Sequence, residues 1–174
     1  EEVRIPRINA LLKTLHDHNI YAIARLTVFQ DPMLAHARPD LAVHDIVKMG
    51  TSTAPLLVAN TWKDHKGLSW IDPSAEEAWR YNMDIAKDAL ARGFDEINLD
   101  YVRFPSDGAI ANMYFPQWDK KTPKHLVIRS FFRYMRDELG DAKISADLFG
   151  LSTINRDDLG IGQVIEDAYR YFDF

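Results

Sequence analysis

The sequence has no cysteine, so disulfide frameworks, thiol nucleophiles and thiolate metal sites are excluded. Basic residues are also scarce: 21 lysines and arginines stand against 26 aspartates and glutamates, which gives a formal charge of -5. Without a basic stripe interleaved with aromatic residues, the chain lacks the electrostatic signature of a nucleic-acid binder, and we expect no nucleic acid among its partners. No window approaches 18 consecutive apolar residues, so we also expect no membrane insertion.

Nucleotide-binding and metal-binding motifs are missing as well. No predicted strand runs into a G-x-G-x-x-G or Walker-type turn. The six histidines show no metal-ligand spacing, and the pair His16 and His18 is two residues apart and does not share a helical face. We therefore expect no metal site and no cofactor.

What the sequence does have is an alternation of helical and strand patterns within a chain of 47% apolar residues. Apolar residues at three- and four-residue spacing indicate helices, and runs rich in β-branched and aromatic residues indicate strands. The predicted order is helix 6–19, strand 21–29, helix 74–93, strand 97–104, helix 123–140, strand 143–150, helix 160–170 and strand 171–174. Ser74 and Glu77 fit an S-x-x-E capping box at the start of the second helix. Residues 30–75 form a long loop excursion with one short strand, 55–60.

This order predicts an α/β fold of repeated β/α units, with short helix-to-strand turns and long strand-to-helix loops. The asymmetry favours a (β/α)8 TIM-type barrel, whose functional loops follow the strand ends. A doubly wound open sheet is the alternative. Because a complete barrel needs about 250 residues, we expect residues 1–174 to form a single partial barrel domain and to be a piece of a longer protein.

In a barrel strand, alternate residues face the helices and the barrel interior. In the strand INLDYVRF, the apolar residues Ile97, Leu99 and Tyr101 share one face, which leaves Asn98 and Asp100 pointing inward. The two other long strands offer further polar residues to the interior: Arg25, Thr27, Ser145 and Asp147.

Asp100 and Asp147 lie late in their strands, where barrel enzymes carry out catalysis. Two carboxylates on adjacent strands suit glycosidic bond cleavage, since one protonates the leaving oxygen while the other stabilises or attacks the oxocarbenium-like centre. Each also has a structural alternative. Asp100 could form a buried ion pair with Arg25 or Arg103, and Asp147 could accept hydrogen bonds from loop amides.

Five segments together resemble a bacterial family of glycoside hydrolases assigned by similarity and formerly catalogued as a domain of unknown function. They are YAIARLTVFQDP (21–32), SWIDPSAEEAWRYNMDIAKDA (69–89), GFDEINLDYVRFPSDG (93–108), ISADLFG (144–150) and LGIGQVIEDAYRYFDF (159–174). The resemblance implies a TIM-type barrel related to amylase-like and other glycosidase barrels, of which this chain covers roughly strands 3 to 6. It places catalytic carboxylates at Asp100 and Asp147, although a glutamate is commoner at the second position in the amylase-like relatives.

The expected function is that of a glycosidase acting on a polysaccharide, with a non-catalytic carbohydrate-binding or cell-envelope-binding barrel as the alternative. A lyase on the same barrel is a third possibility. We expect the substrate to be bound by residues near the strand ends or in the long loops: Arg25, Asn98, Tyr101, Arg103, Trp62 and Trp70. Both tryptophans, with Tyr114 and Trp118, could stack on sugar rings or form local loop cores. Oligomeric state is left open, and an extracytoplasmic location follows only from the polysaccharide interpretation.

Overall fold

A computed structural model describes residues 5–47 and 56–174. The helices are α1 (Ile8–Asp17), α2 (Pro32–Ala37), α3 (Glu76–Arg92), α4 (Lys124–Leu139) and α5 (Ile165–Ala168). The strands are β1 (Ile23–Thr27), β2 (His44–Val47), β3 (Leu56–Thr61), β4 (Glu96–Asp100), β5 (Met113–Tyr114) and β6 (Lys143–Ala146). None of the helices within these ranges is long and apolar enough to cross a membrane.

Strands β1, β4 and β6 form a parallel sheet with β4 in the centre. Helix α3 connects β1 to β4, and α4 connects β4 to β6, so the chain makes two consecutive β/α/β units. One face of the sheet is apolar and belongs to the core shared with the helices, through Ala24, Leu26, Ile97, Leu99 and Ile144. The predicted repetition of β/α units is therefore present.

The opposite face of the sheet is polar and is here called the open face. It carries Ile23, Arg25 and Thr27 of β1, Glu96, Asn98 and Asp100 of β4, and Lys143 and Ser145 of β6. The exposure along β1 alternates residue by residue, with Ala24 and Leu26 buried and their neighbours exposed. This period of two is the one that the sequence predicts, because successive side chains of a strand point to opposite faces.

The predicted strand at 171–174 is not formed as a strand. The backbone N–H of Asp173 donates to the carbonyl oxygen of Ile144 at 2.8 Å, which starts a pairing at the edge of β6. The Asp173 side chain adds bonds to the Ile144 N–H at 3.0 Å and to Arg136 at 2.8 Å. The segment therefore lies beside β6, held by a carboxylate as well as by the backbone.

Asp173→Asn tests this anchor through the pH dependence of stability. The Ile144 N–H and the Arg136 guanidinium hold the pKa of Asp173 well below its ordinary value. A carboxyl whose pKa falls on folding stabilises the protein above the unfolded-state pKa and loses that contribution as the pH falls through the folded-state pKa. We expect the variant to unfold at a lower temperature than the wild type at pH 7 and the gap to narrow from about pH 4 downward. A gap that is constant with pH would contradict this assignment.

The predicted capping box at Ser74 is wrong. Helix α3 begins at Glu76 with Ala75 as its N-cap, and no side chain caps it. The Ser74 hydroxyl is buried and has no hydrogen-bond partner among the residues that the structure describes, and Glu77 instead pairs with Arg38 at 2.5 Å. The start of the helix is shifted because the fully buried Asp72 binds the Ser74 N–H at 2.8 Å and turns the chain there.

Within residues 30–75, the described parts, 30–47 and 56–75, contain more regular structure than the predicted excursion. They contain α2, and β2 pairs with both β3 and β5 to form a small antiparallel sheet. The predicted strand 55–60 corresponds to β3, although Pro55 lies outside the described residues. The Asp72 carboxylate also accepts the backbone N–H groups of Gln117 and Trp118 at 2.7 and 3.0 Å, and burial raises its pKa. This carboxylate therefore joins the loops that follow β1 and β4.

Gly162→Ala should lower the free energy of unfolding by about 2 to 4 kcal/mol. Gly162 has a φ of +83°, and an added Cβ would lie 2.9 Å from the Lys124 carbonyl oxygen and 2.8 Å from Ile128 Cγ1. Gly160→Ala is the matched control, because its φ of +70° is similar but no atom lies within 4 Å. Equal losses for the two variants in chemical denaturation would show that backbone strain, rather than the contact with α4, decides the effect.

Candidate active site

Polar side chains from three neighbouring strands meet on the open face. Arg25 of β1, Asn98 of β4 and Ser145 of β6 occupy adjacent positions across the sheet, so their side chains project to the same side. Asp100 ends β4, and Asp147 follows β6 directly, with its N–H bonded to the Leu99 carbonyl oxygen at 2.9 Å. The carboxyl ends of the strands therefore bring together four of the residues that the sequence predicts for the site.

Arg25 joins the two candidate carboxylates. Its Nη2 donates to Oδ2 of Asp100, and its Nε lies 3.4 Å from Oδ2 of Asp147. The second oxygen of Asp100 accepts the N–H of Tyr101 at 2.7 Å. Each oxygen of Asp100 thus accepts one hydrogen bond, from Arg25 and from the Tyr101 N–H. Of the two predicted ion-pair partners of Asp100, Arg25 is the one that the structure shows.

The two carboxylates differ in their access to solvent. The Asp100 side chain is 13% exposed, whereas those of Asp147 and Arg25 are 49% and 63% exposed. A concave region of about 700 Å³ on the open face is lined by Asn98, Ser145 and Asp147 and extends to the amino ends of the strands at Ile23, Glu96 and Lys143, without reaching Asp100 or Arg25. Asp147 thus lies at the solvent side of the site, and Asp100 lies behind Arg25.

A hydrogen-bonded series fixes the orientation of Asp147. Asn98 Nδ2 donates to Ser145 Oγ at 3.0 Å and to Asp147 Oδ1 at 3.2 Å. The Ser145 hydroxyl donates to Glu96, a buried carboxylate that also accepts from the Tyr21 hydroxyl at 3.1 Å. Because Ser145 gives its proton to Glu96, its oxygen is left to accept from Asn98, which directs the amide protons of Asn98 towards Asp147. Glu96 was not predicted as a site residue, although its side chain lies on the same face of β4 as those of Asn98 and Asp100.

Tyr101 and Arg103 lie beside this group rather than within it. Tyr101 has a φ of +53°, so the strand alternation stops at Asp100 and the ring packs edge-on against Trp70 at 5.7 Å. The Arg103 guanidinium lies 5.0 Å from the Trp70 ring and donates to the Phe104 carbonyl oxygen and to Ser106. Burial lowers the pKa of Arg103. The sequence could not indicate where these two side chains lie, because the left-handed backbone at Tyr101 reverses the alternation of side chains expected after Asp100.

The predicted sugar-stacking role of Trp62 and Trp70 is wrong. Their side chains are 1% and 2% exposed, so neither ring has a face open to a ligand. The Trp62 Nε1 donates to the Ala109 carbonyl oxygen at 3.1 Å, and the Trp70 Nε1 donates to Asp64 at 3.0 Å. Both rings belong to the core between the loops that follow β1 and β4. Tyr114 and Trp118 are partly buried.

No group of three histidine, aspartate or glutamate side chains within residues 5–47 and 56–174 is arranged to hold a metal ion. The open face carries carboxyl groups, a guanidinium, an amide and a hydroxyl. Two carboxyl groups, of which Asp147 lines the concave region and Asp100 is largely buried beside it, can move protons and stabilise a positively charged reaction centre.

The chain matches known proteins along its whole length. Residues 1–174 match the family described as "Putative glycosyl hydrolase domain". A hypothetical protein from Ruminiclostridium thermocellum has 35% sequence identity to this chain and a TM-score of 0.68, over 86% of this chain and 76% of that one. No curated protein matches.

Two glycoside hydrolases share the fold at lower identity. The α-galactosidase TtGalA from Thermus thermophilus, solved with stachyose, has 20% identity and a TM-score of 0.52, over 82% of this chain and 28% of that one. Ega3 from Aspergillus fumigatus, solved with galactosamine, has 14% identity and a TM-score of 0.55, over 94% of this chain and 53% of that one. These likenesses confirm the predicted TIM-type barrel, of which the chain forms a part.

Proposed function

The chain belongs to this glycosyl hydrolase domain family, and on that premise we propose that its open face cleaves O-glycosidic bonds of a polysaccharide. The observation that carries the proposal is the pair of carboxylates, Asp100 and Asp147, held by the single guanidinium of Arg25. Glycoside hydrolysis requires two carboxyl groups on either side of the bond that is cleaved. The inner face of a barrel near its strand ends is where such groups act.

In this proposal Asp100 stabilises or attacks the anomeric carbon. The Tyr101 N–H and Arg25 hold its carboxyl group in place, and its limited exposure keeps water away from the developing positive charge. Such electrostatic stabilisation is strongest in a preorganised, water-poor site. Asp100 is therefore the better suited of the two to the negatively charged role.

Asp147 is proposed to donate a proton to the leaving oxygen. Its side chain is half exposed on the solvent side of the site, where the outgoing sugar would lie. In the unliganded arrangement, Arg25 and Asn98 both contact its carboxyl group. The acid role therefore requires that substrate binding displaces Arg25 from Asp147, so that the leaving oxygen comes within hydrogen-bond reach of this carboxyl group.

The contact between Arg25 and both carboxylates also favours a second candidate, a barrel that binds carbohydrate without cleaving it. If Arg25 stays in place, both carboxyl groups stay bound to it and serve as acceptors for sugar hydroxyl groups. A polysaccharide bound in this way would not be hydrolysed, because no group could protonate its leaving oxygen.

Release of reducing ends distinguishes the two candidates. The full-length protein is incubated with a panel of polysaccharides that includes galactose and galactosamine polymers, since the relatives TtGalA and Ega3 were solved with stachyose and galactosamine. We expect reducing ends to accumulate with at least one polymer. A folded protein that binds a polymer and releases none would support the binding barrel.

A further inference from the structure

One buried side chain bridges the two segments that carry Asp100 and Asp147. Gln163 lies two residues before α5 and is 1% exposed. Its Oε1 accepts the Phe149 N–H at 2.8 Å, and its Nε2 donates to the Val102 carbonyl oxygen at 3.3 Å. Phe149 stands two residues after Asp147, and Val102 stands two residues after Asp100. A single amide therefore connects the chain just beyond both carboxyl groups.

The regular pairing of β4 with β6 ends just before the two carboxyl groups. The last paired residues are Leu99 and Ala146, and the Asp147 N–H adds one bond to the Leu99 carbonyl oxygen. Beyond this point β4 turns away, because Tyr101 has a φ of +53°. The two carboxyl groups thus stand where the ladder stops, so contacts outside the ladder contribute to their separation.

The segment that carries Gln163 is itself held on two sides. The Phe104 N–H donates to the carbonyl oxygen of the buried Ile161 at 2.8 Å, which fixes the segment to the loop after β4. Gly162 packs so closely on α4 that an added Cβ would lie 2.9 Å from the Lys124 carbonyl oxygen. Gln163 is therefore presented to the site from a fixed backbone.

An amide suits this position because it accepts from one segment and donates to the other at the same time. Val102 is fully buried, so its carbonyl oxygen has little access to water when the bond from Gln163 is lost. Buried polar groups without a partner are costly and rare in native structures. The arrangement in which both bonds form is thereby favoured over others in which the two segments lie further apart.

We propose that Gln163 is a positioning residue that sets the separation of Asp100 and Asp147. This inference rests on the proposed function, because the separation matters for catalysis only if both carboxyl groups act on one glycosidic bond. A misplacement of about 1 Å can lower a rate by about 10²-fold. Gln163 is buried and bonds to backbone groups, so it acts through the chain rather than by touching the substrate.

Amide hydrogen exchange in the full-length protein tests the positioning without substrate. Gln163→Met keeps a side chain of similar length and removes both hydrogen bonds. We expect the backbone amides of Asp147 and Phe149 to exchange at least about tenfold faster than in the wild type, because local opening becomes easier. The amides within β4 should keep their wild-type rates. Faster exchange at Phe149 alone, or at neither residue, would overturn the proposal.

Kinetics on the polymer that the wild type cleaves give the second readout, at a temperature well below the thermal midpoint of each variant. We expect Gln163→Met to lower kcat by about 10- to 100-fold and to leave KM within about threefold. Gln30→Met is the matched control, because Gln30 is also a buried glutamine and donates to Asp64 at 2.7 Å. It should lower the thermal midpoint but not kcat. An unchanged kcat for Gln163→Met, or equal losses in the two variants, would overturn the positioning role.

Gln163→Glu is the conservative variant. When protonated, the new carboxyl group can accept from the Phe149 N–H and donate to the Val102 carbonyl oxygen, as the amide does, and burial favours that form. We expect its kcat, relative to the wild type, to exceed that of Gln163→Met and to be highest at low pH. A kcat as low as that of Gln163→Met at every pH would refute the proposal. If the wild type cleaves no polymer, the proposed function fails, whereas the exchange rates still decide whether Gln163 fixes the position of Asp147.

Discussion

Asp100→Asn should lower the rate of polysaccharide hydrolysis by on the order of 10³-fold or more, which is the scale of loss when a catalytic carboxylate is removed. Asparagine preserves the size of the side chain but cannot carry the negative charge that the oxocarbenium-like centre requires. Asp100 is also the less exposed of the two carboxylates and is bound by Arg25 and by the Tyr101 N–H. The rate is measured by reducing-end release from the polymer that the wild type cleaves.

Asp88→Asn is the matched control for this variant. Asp88 lies on the exposed surface of α3, where it pairs with Arg92 one helical turn away, so the substitution removes the same charge far from the open face. We expect its rate to stay within about twofold of the wild type, because exposed pairs contribute little. If Asp100→Asn keeps more than a tenth of the wild-type rate while its thermal midpoint is unchanged, the catalytic role of Asp100 is refuted.

Asp147→Asn should have an effect that depends on the leaving group. A proton donor matters most when the leaving oxygen is basic, so we expect a loss of about 10² to 10³-fold on the natural polymer. On an aryl glycoside with an acidic phenol, the loss should be within about tenfold, because that leaving group departs without protonation. The alkaline limb of the pH–rate profile, which reports the essential acid, should also be absent.

Asp141→Asn serves as the control, since it is an exposed carboxylate two residues before β6. Equal losses by Asp147→Asn on the polymer and on the aryl glycoside, with the alkaline limb retained, would assign Asp147 a binding role. In that case the proton donor would lie on another part of the full-length protein, and Asp147 would not be the catalytic partner of Asp100.

The parity of the strands could be predicted because it depends only on local sequence. Side chains alternate along any strand, so Asn98 and Asp100 had to share the face opposite Ile97 and Leu99. The parallel register then placed Arg25 and Ser145 beside Asn98 without further information. This is why the group formed by Arg25, Asn98, Asp100 and Asp147 was predictable from one sequence.

Features that depend on distant parts of the chain could not be predicted in the same way. Strand β2 is stabilised by β5, about 70 residues further along, and no local pattern indicates that pairing. Burial of Trp62 and Trp70 likewise depends on the loop after β4, to which Trp62 is bonded through Ala109. A tryptophan in a loop can belong to a local core or stack on a sugar ring, and only the tertiary contacts distinguish the two roles.

The capping box failed for a related reason. Ser74 and Glu77 have the right spacing, but the buried Asp72 binds the Ser74 N–H and shifts the start of α3 to Glu76. A buried carboxylate that accepts three backbone N–H groups from two loops outweighs a cap on the surface, since capping contributes only about 1 kcal/mol. Tertiary contacts therefore decide the position of the helix end.

The most direct test of the account is a crystal structure of full-length Asp100→Asn bound to the oligosaccharide that the wild type cleaves. The account predicts that the sugar lies on the open face and displaces Arg25 from Asp147. The leaving oxygen should lie about 2.6 to 3.2 Å from the Asp147 carboxyl, and the anomeric carbon about 3 to 3.5 Å from the side chain at position 100. A sugar bound elsewhere, with Arg25 still joining position 100 to Asp147, would contradict it.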